Sequence, residues 1–191
     1  MTLTMEDKCE LIKKECLKST SKNPVLLAKQ LMALPEISMH GPEHHMLDGS
    51  AFLTAYYNAG GAIDLSKALD LLKDRALKMP GAMCGYWGMC GSVASLGAAM
   101  SIIHGVGPLS DNDYYKEQMV YTSSVIQKMS TIGGPRCCKR NAFLSLSAAT
   151  QAINEKEGLR MELPEKIVCE FTSKNPTCLK ERCPFYPGKT N

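Results

Sequence analysis

Three short stretches carry the side chains best able to do chemistry. Residues 81–92 read GAMCGYWGMCGS and set Cys84 and Cys90 among glycines. Residues 40–45 read HGPEHH, and residues 133–138 read GGPRCC. Each stretch runs into a helical pattern, so each brings thiols or imidazoles to a helix start. There, unpaired N–H groups and a partial positive charge favour thiolates, metal–sulfur clusters and anions. The expectation is that the three starts converge on one site.

Cys84-x5-Cys90 matches neither the C-x2-C of a zinc ribbon nor the C-x2-C-x2-C of a bacterial ferredoxin. Two buried cysteines beside a tight turn would explain it. The flanking glycines point further, because they let backbone approach a cluster and aim N–H groups at its sulfurs. Tyr86 and Trp87 between the cysteines would shield such a site or simply pack.

Cys137 and Cys138 stand between Arg136 and Lys139-Arg140. Neighbouring cations and a helix start both lower a thiol pKa. Adjacent cysteine side chains diverge, so one can bind metal while the other is a persulfide carrier, a ligand to a second site, or structural. Arg136, Lys139 and Arg140 read either as a solvated face or as a cradle for a carboxylate or phosphate.

His44 and His45 are neighbours on a helix and point about 100° apart. One would ligate or act as acid/base, and the other would pack or pair with Asp48, four residues past His44. Glu43 stabilises the helix start or joins the proton-handling set. His40 can fold back into the same pocket, whereas His104 ends a helix and suits its dipole. Further on, Cys169-x8-Cys178-x4-Cys183-Pro184 offers a second set of thiolates. It reads as an iron–sulfur set, or as a zinc tetrahedron closed by Cys137 or Cys138. Cys9 and Cys16 lie on an apolar stripe and read as small core hydrophobes.

The totals narrow the classes. The cysteine count, nine, is odd and excludes a fully paired disulfide framework within one chain. The opening residues are charged and resemble no secretory signal, which points to a reducing cytoplasm where clustered cysteines bind metal or do chemistry. A net charge of +3 is too small to suggest nucleic acid, and no apolar run is long enough for a bilayer.

The elements that must position these residues read as all-α. Residues 3–17 carry a stripe of Met5, Cys9, Ile12 and Cys16. Helices follow over 25–34 and 43–59, and another starts from a cap at Asp64 or Ser66 and is closed by Pro80-Gly81, with Leu65, Ala68, Leu69, Leu72 and Ala76 inward. Residues 92–104 are small on nearly every side, which predicts a central helix that neighbours approach closely. A helix from Ser110 or Asp111 would face inward with Tyr115, Met119, Thr122, Ile126 and Met129. Residues 138–157 form the last long helix, with Ala142, Phe143, Leu146, Ala149 and Ile153 inward. This gives a single bundle of about seven helices over residues 1–160. A proline-rich, irregular cysteine tail over 161–191 packs on it and needs a staple to order itself. Only residues 166–171 hint at a strand.

The sequence HGPEHH, then CGYWGMCGS, then GGPRCCKRNAF, then C-x8-C-x4-CPF, resembles a cysteine-rich family of unknown function from anaerobic bacteria and archaea, including methanogens. Some relatives are fused to radical-SAM or methyltransferase-like domains. The resemblance covers residues 40–185 and implies an anaerobic cytoplasm and iron–sulfur rather than zinc chemistry. The reading is then an iron–sulfur protein, with a [4Fe–4S] cluster on Cys84, Cys90 and one of Cys137 and Cys138. One open iron would serve sulfur transfer, desulfuration or lyase chemistry on sulfide or a small anionic substrate. Two alternatives stand beside it: an electron-transfer or cluster-carrier partner of a radical-SAM or methyltransferase enzyme, and a zinc-stapled helical interaction domain.

Overall fold

A computed structural model of the chain describes residues 3–188. Positions 189–191, the end of the expected tail, lie outside the described residues. Among the described residues there are eight α-helices and no strand. They are α1 (Met5–Lys18), α2 (Pro24–Met32), α3 (Glu43–Asn58), α4 (Leu65–Ala76), α5 (Met83–Tyr86), α6 (Gly91–Ile103), α7 (Asp113–Ile132) and α8 (Cys138–Glu157). The described residues of the tail have two single 3-10 turns, Thr172–Lys174 and Lys180–Arg182, and the strand hinted at over 166–171 does not form.

Local chemistry fixes most helix ends. Thr4 and Asp7 close a capping box on α1, Asn23 caps α2 with Pro24 at the first position, and Asp64 and Asn112 cap α4 and α7. Gly158, at φ 67°, takes the left-handed conformation that ends α8. The amphipathic stripes of α4 and α8 bury the residues expected. On α7 the inward face is turned: Tyr121 and Val125 are buried, while Met119 is 52% exposed. The Tyr121 hydroxyl donates to the Ser145 carbonyl of α8 at 2.9 Å, and Ile126 and Met129 of the expected face stay half-buried against the core.

The centre of the bundle is α3, not α6. Every residue from Glu43 to Tyr56 is buried, and α3 touches α1, α2, α4, α6 and α8. Close approach is the cause. A Cβ on Gly49 would stand 2.7 Å from Ser95 Oγ and 2.8 Å from a Leu72 methyl, so glycine lets α4 and α6 press onto α3. Ser95 then ties the pair together, accepting the Gly49 N–H at 2.9 Å and donating to the His45 carbonyl at 2.5 Å. The small residues of α6 serve α7 on its other side: at Gly97 an added Cβ would meet Thr122 at 3.1 Å. The tail is joined to this core. Met161, Cys169 and Phe171 belong to the central apolar cluster, and Phe185 meets Phe143 edge-on at 5.4 Å. None of the described helices is long and apolar enough to cross a membrane.

Candidate functional site

The three chemical stretches do meet. Cys84, Cys90, Cys137 and Cys138 line one cavity of about 300 Å³ together with His40, His44, His45 and Asp48. A wider hollow of about 540 Å³ shares Cys84, Cys90, Arg136 and Asn141 with it and opens beside α7. The cavity is built where the N-termini of α3, α6 and α8 come together, with the α5 turn across them. The loop carrying Cys84 is not extended: Ala82, at φ 60°, turns the chain into the single turn of α5.

Cys90 is the N-cap of α6. Asn141 Nδ2 donates to its sulfur at 3.2 Å, and the N–H groups of Ser92 and Val93 face it. Burial nonetheless pushes its thiol pKa up, and burial pushes the Cys138 thiol up to about 12. These thiols are therefore poor nucleophiles on their own. A bound metal would supply the charge that removes their protons. Asn141 itself escaped the sequence reading. Its signal was a polar side chain in the first turn of a helix whose neighbours are either cationic or apolar.

Cys137 and Cys138 are divided between two environments. Cys138 feels Asp48 and Cys90, with the Gly41 N–H facing its sulfur. Cys137 lies toward the tail: Asn175 Nδ2 reaches its sulfur at 3.7 Å, and it lines a separate small hollow with Cys169, Cys178 and Cys183. His40 bridges the two sides. Its Nδ1 accepts the Cys138 N–H at 3.4 Å, and its Nε2–H donates to Asn175 Oδ1 at 3.3 Å, which fixes the tautomer.

The expected proton-handling and anion-binding residues separate by environment. Glu43 accepts the Ser38 N–H at 2.8 Å and pairs with Lys8 at 3.3 Å. Although burial opposes it, these partners hold its carboxyl pKa down at about 2, so it is an ionised strut behind the cavity wall. Lys139 is buried, with Nζ donating to Ser38 O at 2.8 Å and lying 3.0 Å from His44 Nε2, which stands 3.1 Å from the same carbonyl. Burial and that neighbouring charge press the His44 pKa down to about 3, leaving the ring neutral. Arg140 is also buried: Nη2 donates to the Gly133 and Pro135 carbonyls at 3.1 and 3.3 Å, and Nε to Asn141 Oδ1 at 3.1 Å. Of the three cations, only Arg136 is exposed, and it borders both hollows. His45 lies against Gly91, where an added Cβ would fall 2.0 Å from its Nε2. Burial lowers its pKa.

Asp48 stands out on the wall. It is fully buried, neither carboxylate oxygen makes a hydrogen bond of good geometry, and the Ser92 hydroxyl is the one polar side chain turned toward it. Burial pushes its carboxyl up to about 7. It does not pair with His44, the role its spacing suggested. The sequence signal was an acid between Leu47 and Gly49 on a helix with no polar face. Cys9 and Cys16 are buried on α1, far up in pKa through burial, and line no part of the cavity. His104 pairs with Glu157 at 2.7 Å and stacks on Tyr114.

Among the described residues, no group of three or more His, Cys, Asp or Glu side chains is gathered tightly enough to hold a single metal ion. The cavity is thus a wide, thiol-lined chamber at converging helix starts. The molecule is an all-α protein with a cysteine-walled pocket. Residues 12–186 match the model of a family of unknown function, DUF5714, and the chain belongs to that family. No curated protein and no solved structure matches it.

Proposed function

We propose that the chain is an iron–sulfur protein whose cluster is held in the 300 Å³ cavity by Cys84, Cys90 and Cys138. The supporting observation is that these three thiols, from separate loops and helix starts, wall one chamber; Cys137 borders it as well, but Asn175 reaches its sulfur from the tail side and it also lines the tail hollow. The donor set fits such a group. Thiols spread around a chamber suit a polynuclear cluster, which offers a different iron to each, better than one ion. Asn141 and the start of α6 supply N–H groups to a Cys90 thiolate. When bound, a four-iron cluster with three protein thiolates supplies one iron able to act as a Lewis acid or to hold sulfide.

The chain's own residues make this a site for non-redox chemistry on a small anion, of the sulfur-transfer, desulfuration or lyase type. Arg136 is the exposed cation at the mouth and attracts a carboxylate, phosphate or hydrosulfide. Asp48, with its carboxyl raised to about 7 and neither oxygen in a hydrogen bond of good geometry, is the group poised to hold or release a proton near neutrality. His45 excludes water at the start of α6, and His44 with Lys139 fixes the Ser38 loop. Anaerobic purification with iron, acid-labile sulfide and absorption measurements tests the reading. Expected are a brown protein, its loss on replacing Cys84, Cys90 or Cys138 by serine, and a spectrum that shifts with added sulfide. Zinc without iron in this cavity would refute it.

A second reading, an electron-transfer or cluster-carrier partner of a radical-SAM or methyltransferase enzyme, draws on one observation. Tyr86 and Trp87, on the loop between Cys84 and Cys90, are 80% and 62% exposed and form an aromatic surface beside the cavity. Such residues suit a protein docking site. A spectrum indifferent to sulfide and small anions favours this reading.

A further inference from the structure

The second group of sulfurs lies under the tail. Cys137, Cys169, Cys178 and Cys183 border a hollow of about 20 Å³, whose other sides are mostly apolar, with Thr172, Asn175 and Arg140 as the polar exceptions. We propose that these four cysteines form a separate tetrathiolate site for one divalent transition-metal ion, with zinc the best match, that staples the tail to the start of α8. This inference does not depend on the cluster reading of the central cavity.

Size decides between an ion and a cluster. A space of this volume takes little more than one water-sized body, which needs about 10–15 Å³ on this measure. A four-iron cluster has no room without moving the tail. Four thiolates in a closed set are the donors of a structural zinc site.

The backbone is arranged for thiolates rather than thiols. In each tail segment the amide two residues on turns toward the sulfur: Phe171 for Cys169, Phe185 for Cys183, and Lys180 for Cys178, where N to Sγ is 3.4 Å. Lys180 reaches this position at φ 50°, in the left-handed region that a non-glycine residue enters rarely. A neutral thiol is a weak acceptor and gives little reason for the strain. A metal-bound thiolate gains from every N–H aimed at it. Asn175 adds the same function for Cys137 at 3.7 Å, while its Oδ1 is held by Thr177 and His40.

Charge points the same way. Arg140 is 5% exposed, and its Nη1 is buried with no partner. A divalent ion with four thiolates carries a net charge of −2, so a buried guanidinium on the wall offsets what would otherwise be a costly centre. Binding converts four thiols and the ion into the tetrathiolate and releases four protons; no electron moves. Because the sulfurs are not yet gathered on one point, ion entry must draw the tail inward, and that tightening is measurable. A staple would add to the apolar contacts that hold this segment, whose described residues form no regular structure beyond two single turns.

The test uses the full chain, purified anaerobically, with its metal content measured and Co²⁺ then exchanged in as the spectroscopic probe. Expected is one Co²⁺ per chain with the sulfur-to-cobalt charge-transfer and visible bands of a tetrahedral tetrathiolate. These bands are lost in Cys183→Ser and Cys137→Ser and retained in Cys84→Ser and Cys90→Ser. Circular dichroism confirms that the helices persist, and Cys178→Ser, at a less buried position, serves as the second variant. Limited proteolysis should cut the tail at least tenfold faster in the variants than in the loaded protein. Cobalt bands that survive Cys183→Ser, iron with acid-labile sulfide at these four cysteines, or a chain that takes up no ion there would each overturn the proposal. Loss of the brown cluster in Cys84→Ser with the cobalt bands intact would confirm that the two sites are separate.

Discussion

Replacing Gly91 by alanine perturbs the cavity at one defined point. Gly91 is the first residue of α6, directly after Cys90, and an added Cβ would fall 2.0 Å from His45 Nε2 and 2.2 Å from its Cδ2. Both atoms belong to a ring that is 8% exposed and held by the surrounding wall, so it cannot swing away freely. Forcing a ring out of a packed slot costs about 1–3 kcal/mol. Alanine is otherwise the better helix former, by up to about 1 kcal/mol. The two effects separate in a double-mutant cycle on urea unfolding. Gly91→Ala should destabilise the wild-type chain by about 1–2 kcal/mol but be neutral or slightly stabilising once His45 is replaced by alanine. The coupling between the two sites should then be about 1–3 kcal/mol. Equal destabilisation by Gly91→Ala in both backgrounds would show that the His45 ring does not occupy this slot, and the account of the α6 start would fail with it.

Three further outcomes follow from the same geometry. Glu43 is ionised with its pKa held at about 2 against a reference of 4.5, so its contribution is present above pH 4.5 and is lost as pH falls toward 2; Glu43→Gln should remove about 3 kcal/mol at pH 7 and little at pH 2, read by denaturation across that range. Asn141→Ala removes the 3.2 Å donor from the Cys90 sulfur and should raise that thiol's pKa further, slowing its alkylation at pH 8 by about tenfold, which mass spectrometry of the labelled peptide reports. Cys9→Ala and Cys16→Ala, in the core of α1, should each cost about 1–2 kcal/mol in thermal unfolding and leave metal and sulfide content unchanged; a loss of iron in either would contradict their assignment as packing residues.

Local signals carried much of the architecture. The helix boundaries at Asp64, Gly158 and Pro24 rest on capping chemistry that involves only neighbouring residues. The inward stripes of α4 and α8 follow from apolar spacing, because those helices bury one face and wet the other. The position of α3 could not be read this way. A helix buried on all sides shows no contrasting stripe, and its centrality depends on Gly49 and Ser95, residues 46 positions apart that meet at 2.9 Å. The burial of Tyr121 on α7 likewise comes with a partner on another helix, the Ser145 carbonyl of α8.

Glycine, proline and capping residues act over a few positions of chain, so the placing of thiols, imidazoles and cations at helix starts is legible in the residues alone. What those groups experience is settled by packing. It sent Cys138 toward Cys90 and Asp48, and Cys137 toward the tail. It buried Lys139 and Arg140 and left Arg136 exposed, and it sealed Asp48 in the wall with only the Ser92 hydroxyl facing it. Those differences are desolvation and long-range proximity, and both arise only when helices distant in sequence close around the same space.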